Sequence, residues 1–452
     1  FTDHDFDLYE ENGDWEEQGK KLNTRREAAI SEIFQRYGAE GVIRFSESVS
    51  SPGQVGYALG VIADAFIERT ILPHFLITPD NKRKVLVSGF IGQRYHLKGW
   101  EWCDELDKSD WTPEQTGQFL ACLPFTKEAW DRASEWLQMH ENEYWTRTDG
   151  NAYQADGDLD IAIEKLIEYG RPHAAINCLI RMRHAMQPID TNQCVRGLLA
   201  ALSSGEPSYA MDGYHIVELV KFLQAEPSVN QDDLFNVEWA YVPLLNRNKG
   251  AAPQLLESRL ASDPEFFCKV IRLIYRSKNE VQPSKELPAE SKAIATNTWR
   301  LLHEWKTPPG TETNGTFSEN RFTEWLQSVK ELCTESGHLE VALINIGKVL
   351  IYTSPDPDGL WIRRAVAAAL NDREADDMRN GFRTGIYNSR GVHWVDPTGN
   401  PERELAKEFR RKAEEIENAG FQRFAVTLRG LADSYDREAE QIIKDHKDRE
   451  DE

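Results

Sequence analysis

Metal chemistry has the strictest spacing rules, so the cysteines and histidines come first. The six cysteines, Cys103, Cys122, Cys178, Cys194, Cys268 and Cys333, form no CxxC pair, and the eleven histidines form no HExxH. Zinc in a familiar arrangement therefore has no ligand set. The stretch "DGDLD" starts like a calcium loop with Asp156, Asp158 and Asp160. Ile161, however, stands where that loop needs glycine, and Ile167 where it needs its closing glutamate. An acidic helix start explains it better, because carboxylates complement the positive end of the helix dipole. There is no GxSxG elbow, no phosphate-cradling P-loop and no GxGxxG, so hydrolysis through an activated serine, nucleotide hydrolysis and dinucleotide chemistry lack a motif. No cofactor is expected.

The residues richest in chemical types lie in "GFRTGIYNSRGVHWVDPTGNPERELA", Gly381 to Ala406. Arg383, Arg390, Arg403 and His393 are of the kinds that converge on an anion or a partner carboxylate, since a guanidinium fork donates two hydrogen bonds to such a group. The same stretch also reads as a connector. Asn400 caps and Pro401 starts the final long helices, Glu402 and Glu404 suit their first turn, and Gly385, Gly391 and Gly399 permit the turns. An acid–base site around His393 and Glu404 is an alternative of another class; pairs such as His303 and Glu304 have no motif around them.

Helices must position these residues. "TKEAWDRASEWLQMHENEYW", "GYHIVELVKFLQAE" and "PEFFCKVIRLIYRS" place apolar residues three and four apart. "KVLVSGFI", Lys84 to Ile91, has the content of a strand, yet it runs into "GQRYHLKGWEWCDEL", where helix is the easier continuation. Thr112-Pro113-Glu114, Asp263-Pro264-Glu265 and Asn400-Pro401-Glu402 each set a capping residue before a first-turn proline. Tryptophans 100, 102, 111, 130, 136 and 145 crowd one region beside Tyr144; interhelical packing accounts for them better than base stacking does in so acidic a chain.

A repeat emerges when the turns are aligned. "EYGRPHAAINCL", "ESGHLEVALINI" and "NAGFQRFAVTL" each carry a glycine (Gly170, Gly337, Gly420), then an alanine five residues on (Ala175, Ala342, Ala425), then an aliphatic. Glycine lets the chain leave one helix, and a small residue one turn into the next lets two antiparallel helices approach. The turn resembles that of the tetratricopeptide repeat. The expected fold is all-α, a solenoid-like array of antiparallel helical hairpins, TPR- or HEAT-like with degenerate repeats. It is organised as an N-terminal helical segment (1–110), a central array (111–305), and C-terminal repeats with capping helices (306–452). Polar, proline- and glycine-bearing stretches at 202–213, 277–291 and 306–320 read as longer loops within it.

Bulk properties narrow the partners. The 452 residues exceed one ordinary core, so several domains or a growing array are expected. Seventy-five acidic against 53 basic residues leave a formal net charge of −22. That charge repels a phosphate backbone, and no basic run offsets it, so nucleic acid is not an expected partner. No run of about 18 apolar residues occurs, so no membrane span is expected. Scattered cysteines suit a reducing cytosol. The chain opens with Phe1 and no signal-peptide pattern, which reads as a piece of something longer.

Several phrases together, "YWTRT", "YGRPHAAI", "FNVEWAYVPLL", "LASDPEFFCKVIRLIYRS", "DGLWIRRAV" and "GIYNSRGVHW" with "PERELAKEFRRKAEE", resemble the helical-repeat C-terminal region of very large bacterial anti-phage defence and signalling proteins. The likeness runs from about Trp111 to Glu440. It implies a non-catalytic sensor in the cytoplasm, with the chemistry lying in an upstream effector outside this region. The partner it implies is a protein or peptide, a phage component among them; self-association is the other reading. The residues expected to mark the contact are Trp145, Arg147, Arg383, Arg390, His393 and Trp394.

Overall fold

In the computed structural model of the chain, the described residues are 1, 14–155, 157–247, 250–279, 289–312, 314–391 and 394–450. Among them the chain is all-helical, with no strand and one isolated antiparallel bridge between Thr311 and Phe317. No described helix is long and apolar enough to cross a membrane. The chain divides into two compact units, Phe1–Leu223 and Gln224–Glu452. The division falls inside the 111–305 stretch grouped above as one array.

The first unit opens with α1 (Trp15–Ser48), which bends at Gly38, and continues through α2 (Pro52–Ile62), α3 (Ala65–Ile71) and α4 (Asn81–Glu105), bent at Gly99. Residues 84–91 are helical within α4. Helices α2 and α4 meet backbone to backbone: a methyl on Gly56 would fall on the Leu86 carbonyl, and one on Gly60 would sit 2.9 Å from the Gln93 Cβ. Next come α5 (Pro113–Ala121), α6 (Lys127–Leu137) and α7 (Asn142–Trp145). Thr112 starts α5 as expected: its hydroxyl accepts from Gln115 N at 3.2 Å, and the Gln115 side chain accepts from Thr112 N at 2.9 Å. The aromatic crowd is core. Trp130 packs edge-on to Phe125 at 5.0 Å, and Trp145 lies 6.2 Å from Trp130. Helices α8 (Leu159–Glu168), α9 (Pro172–His184), α10 (Thr191–Ala201) and α11 (Asp212–Ala225) complete this run.

The second unit contains α12 (Gln231–Tyr241), α13 (Gln254–Ser262), α14 (Pro264–Ile274), α15 (Ala289–Glu304) and α16 (Glu319–Glu335). It ends with α17 (Leu339–Leu350), α18 (Arg364–Asn371), α19 (Asp376–Ser389), α20 (Asn400–Asn418) and α21 (Gln422–Glu450). Asp263 caps α14, accepting from Glu265 N and Phe266 N at 3.0 Å each. Phe267, Trp305, Val329, Ile346, Phe382 and Leu428 belong to one buried cluster.

The three aligned glycine turns share one geometry. Gly170, Gly337 and Gly420 join α8 to α9, α16 to α17 and α20 to α21, with φ of 74°, 74° and 94°. In each, the amide after the glycine reaches back to a carbonyl five residues earlier: Arg171 to Leu166 at 2.7 Å, His338 to Cys333 at 2.8 Å, Phe421 to Ile416 at 3.0 Å. This is the Schellman closure of a helix, and the left-handed φ is why glycine stands there. Ala175, Ala342 and Ala425 are fully buried one turn later.

Three expectations for Gly381 to Ala406 are corrected. The stretch is only in part a connector: residues up to Ser389 are the second half of α19, and α20 starts at Asn400. Gly385 is no turn residue; it lies inside α19, where a Cβ would come within 2.8 Å of the Lys348 carbonyl. Asn400 is the first residue of α20 rather than its cap, a position taken by Gly399 at φ 63°. A left-handed residue there needs no Cβ, so glycine displaces the capping side chain.

Candidate functional site

The residues expected to mark a contact go to different places. Trp145 is 1% exposed and its indole N–H donates to Glu141 at 3.2 Å, so it is a packed interior ring. Arg147, just past α7, donates to Glu143 of α7 at 2.5 Å and to Glu114 of α5 at 3.1 Å, joining the two helices. Both belong to the first unit. In the second, Arg390 donates to the buried Glu402 at 2.6 Å, has Glu438 of α21 at 3.6 Å, and lies 5.4 Å from the Tyr435 ring. Its charge is met from inside the fold. Arg383 and Arg403 are exposed with no side-chain partner among the described residues, and Trp394 is 79% exposed. His393 lies outside the described residues. Glu404, its partner in the acid–base alternative, is exposed and pairs with Lys407 at 2.7 Å.

What the sequence did not single out is a cleft of about 310 Å³ in the second unit. Its walls come from helices that are neighbours for a physical reason. Helices α17 and α19 cross at glycines: a Cβ on Gly347 would lie 2.7 Å from Phe382 N, and one on Gly381 would lie 2.8 Å from the Ile344 carbonyl carbon. Only hydrogen fits between these backbones. The crossing sets Lys348 of α17 beside Gly385 of α19, and both line the cleft, with Asn388 one turn further on. The second half of "GFRTGIYNSRG" is thus a wall of the cavity.

The opposite side is α15 and the chain just after α14 and α17. Trp299, 52% exposed, stacks on His303 with ring centres 5.0 Å apart. Tyr352, 40% exposed, receives the Lys306 ammonium 5.6 Å from its ring centre. Asn345, on α17, donates to the Tyr275 hydroxyl at 3.3 Å and to the Val341 carbonyl at 2.7 Å. Having accepted from Asn345, the Tyr275 hydroxyl keeps its own proton to donate, and no described residue takes it.

The electrostatics turn on Lys348. Its side chain is partly buried, and no described carboxylate, carbonyl or ring pairs with its ammonium. Burial alone draws its pKa below the ordinary lysine value, because a partly desolvated cation is disfavoured. Buried charges elsewhere in this unit are met: Glu238 accepts from Leu256 N at 2.9 Å, Glu257 from Arg247 at 2.6 Å, and Glu402 from Arg390. Glu304, which also lines the cleft, accepts from Asn246 at 3.5 Å. Among the described residues, no three His, Cys, Asp or Glu side chains gather closely enough to hold a metal ion.

A signal for the crossing was present in the sequence, the four-residue spacing of Gly381 and Gly385 on one helical face. Lys348 had none, since an unpaired lysine is visible only once its neighbours are known. No family model matches the chain, and neither a curated protein nor a solved structure matches it.

Proposed function

We propose that this chain is a non-catalytic recognition module of a larger bacterial protein. In this reading its helical hairpins stack as a solenoid-like array that binds a protein or peptide and relays occupancy to an effector elsewhere in that protein. The observation that supports it is the second-unit cleft, with the exposed rings of Trp299 and Tyr352 beside it. Half-exposed aromatic rings beside a recess are the kind of anchor around which peptide contacts form. The resemblance to anti-phage proteins names the first partner to try, a phage component in the bacterial cytoplasm.

The test is affinity capture by the intact chain from infected and uninfected bacterial lysates. Captured proteins are identified by mass spectrometry, and each is then titrated in purified form against the parent, Trp299→Ala and Trp394→Ala. A purified phage protein that binds the parent and loses affinity with either variant supports the reading. If no identified protein or peptide binds directly, the recognition-module reading is wrong.

A further inference from the structure

Some of the unit's lysines meet carboxylates: Lys407 reaches Glu404 at 2.7 Å and Lys412 reaches Glu408 at 2.6 Å. Lys348 does not, although a partly buried ammonium has more to gain from a counter-charge than an exposed one. Most of the polar groups that share its cavity are donors, and aromatic rings border it. Lys306 adds a second ammonium, the Tyr275 hydroxyl has a proton to give, and the exposed Asn388 amide has no described partner. Glu304 is the one carboxylate among the cleft-lining residues.

We propose that this cleft binds an oxyanion, a carboxylate or a phosphate, which Lys348 neutralises and Tyr275 and Asn388 hydrogen-bond, while a flat apolar part of the same ligand rests on Trp299 and Tyr352. Three features carry the assignment. The first is the match of groups, since two ammoniums and neutral donors in a walled recess outnumber the single carboxylate of Glu304 and favour an anion. The second is size: about 310 Å³ is the lower end of small-ligand cavities, enough for one or two peptide residues or a small aromatic acid. The third is range. The chain's net charge of −22 opposes an approaching anion at a distance, but salt screens that field beyond about 8 Å at physiological ionic strength. Within the cleft the local lysines dominate.

The proposal goes beyond the recognition-module reading, because it fixes the chemistry of the occupant whether the anion arrives on a peptide or on a small molecule. Isothermal titration calorimetry of the intact chain tests it with phenyl phosphate, hippurate, inorganic phosphate and, as the neutral control, benzyl alcohol. The expected result is saturable one-to-one binding of phenyl phosphate or hippurate, and none of benzyl alcohol. Lys348→Met keeps the length of the side chain and removes the charge, and it should weaken binding about tenfold, the scale of one lost charged hydrogen bond. Trp299→Ala, at a half-exposed position, should weaken phenyl phosphate and hippurate while leaving inorganic phosphate unchanged. Preference for phenyl phosphate over hippurate assigns the anion to a phosphate, and the reverse to a carboxylate.

Absence of saturable binding by all three anions overturns the proposal, as does binding that Lys348→Met leaves intact. Anion binding without capture of any protein refutes the recognition-module reading alone. Capture of a protein or peptide together with no saturable binding of the anions refutes the anion site alone.

Discussion

Replacing Gly347 by alanine puts a methyl group where two backbones already touch. The added Cβ falls on the Met378 carbonyl oxygen and 2.7 Å from Phe382 N, against the 3.0 Å below which real Cβ atoms essentially never approach. Both neighbours are main chain, so no rotamer change relieves the clash, and α17 and α19 must part by about 1 Å. Overpacking of this kind costs ~1–3 kcal/mol, and the main-chain contact places it at the upper end. Alanine returns about 1 kcal/mol of helix propensity, leaving a net loss of about 2 kcal/mol. For a unit of this size that is a fall of roughly 4–8 °C in melting temperature. Differential scanning calorimetry of the intact chain reads it directly. Gly430→Ala is the matched control: it lies within α21 with no atom within 4 Å of the added Cβ, so it should be neutral or slightly stabilising. A Gly347→Ala protein that melts within about 1 °C of the parent would falsify the claim that this crossing is glycine-dependent.

Three further outcomes follow from named contacts. Because burial lowers the folded-state pKa of Lys348 below its unfolded value near 10.5, its desolvation cost is full at neutral pH and is relieved as pH rises between the two values; Lys348→Met should therefore raise stability by about 0.5–1 kcal/mol at pH 7, with the gain shrinking as pH approaches 10.5, and a lower melting temperature at pH 7 contradicts this. Arg390→Ala strands the 1%-exposed carboxylate of Glu402 and should cost about 3–5 kcal/mol in denaturant unfolding, whereas Arg383→Ala, at an exposed position, should stay within about 0.5 kcal/mol; equal effects would remove the internal role assigned to Arg390. Desolvation pushes Cys103, Cys178 and Cys194 up to about 12, so at pH 8 all three remain thiols that a disulfide reagent labels only after unfolding in guanidinium, and fast labelling of any of them in the native chain would show the burial to be wrong.

Arg390 and Lys348 show where sequence reading stops. Arg390 stood out by type, in a stretch dense with arginine and glycine, and reads as a group aimed at a partner. Its guanidinium instead holds together α19, α20 and α21 through Glu402 and Glu438, and nothing in its neighbours along the chain announces a carboxylate twelve residues on and another 48 on. Lys348 reads as an ordinary helix lysine after "NIG", yet it is a partly buried charge with no described counterpart. Trp145 had two readings, and the packed one holds because Phe125, Trp130 and Tyr144 close around it.

The sequence by itself determined what acts within about one helical turn. Apolar spacing set the helices, Thr112 and Asp263 set two of their starts, and Gly170, Gly337 and Gly420 set three identical closures, because a cap or a left-handed turn is decided by hydrogen bonds across a few residues. The tertiary structure alone decided which helix faces meet, and with that the Gly347–Gly381 crossing, the cleft beside it, and which charges are paired. Those outcomes depend on residues tens of positions apart arriving at one place, and a charge is satisfied or left open only by what packs against it.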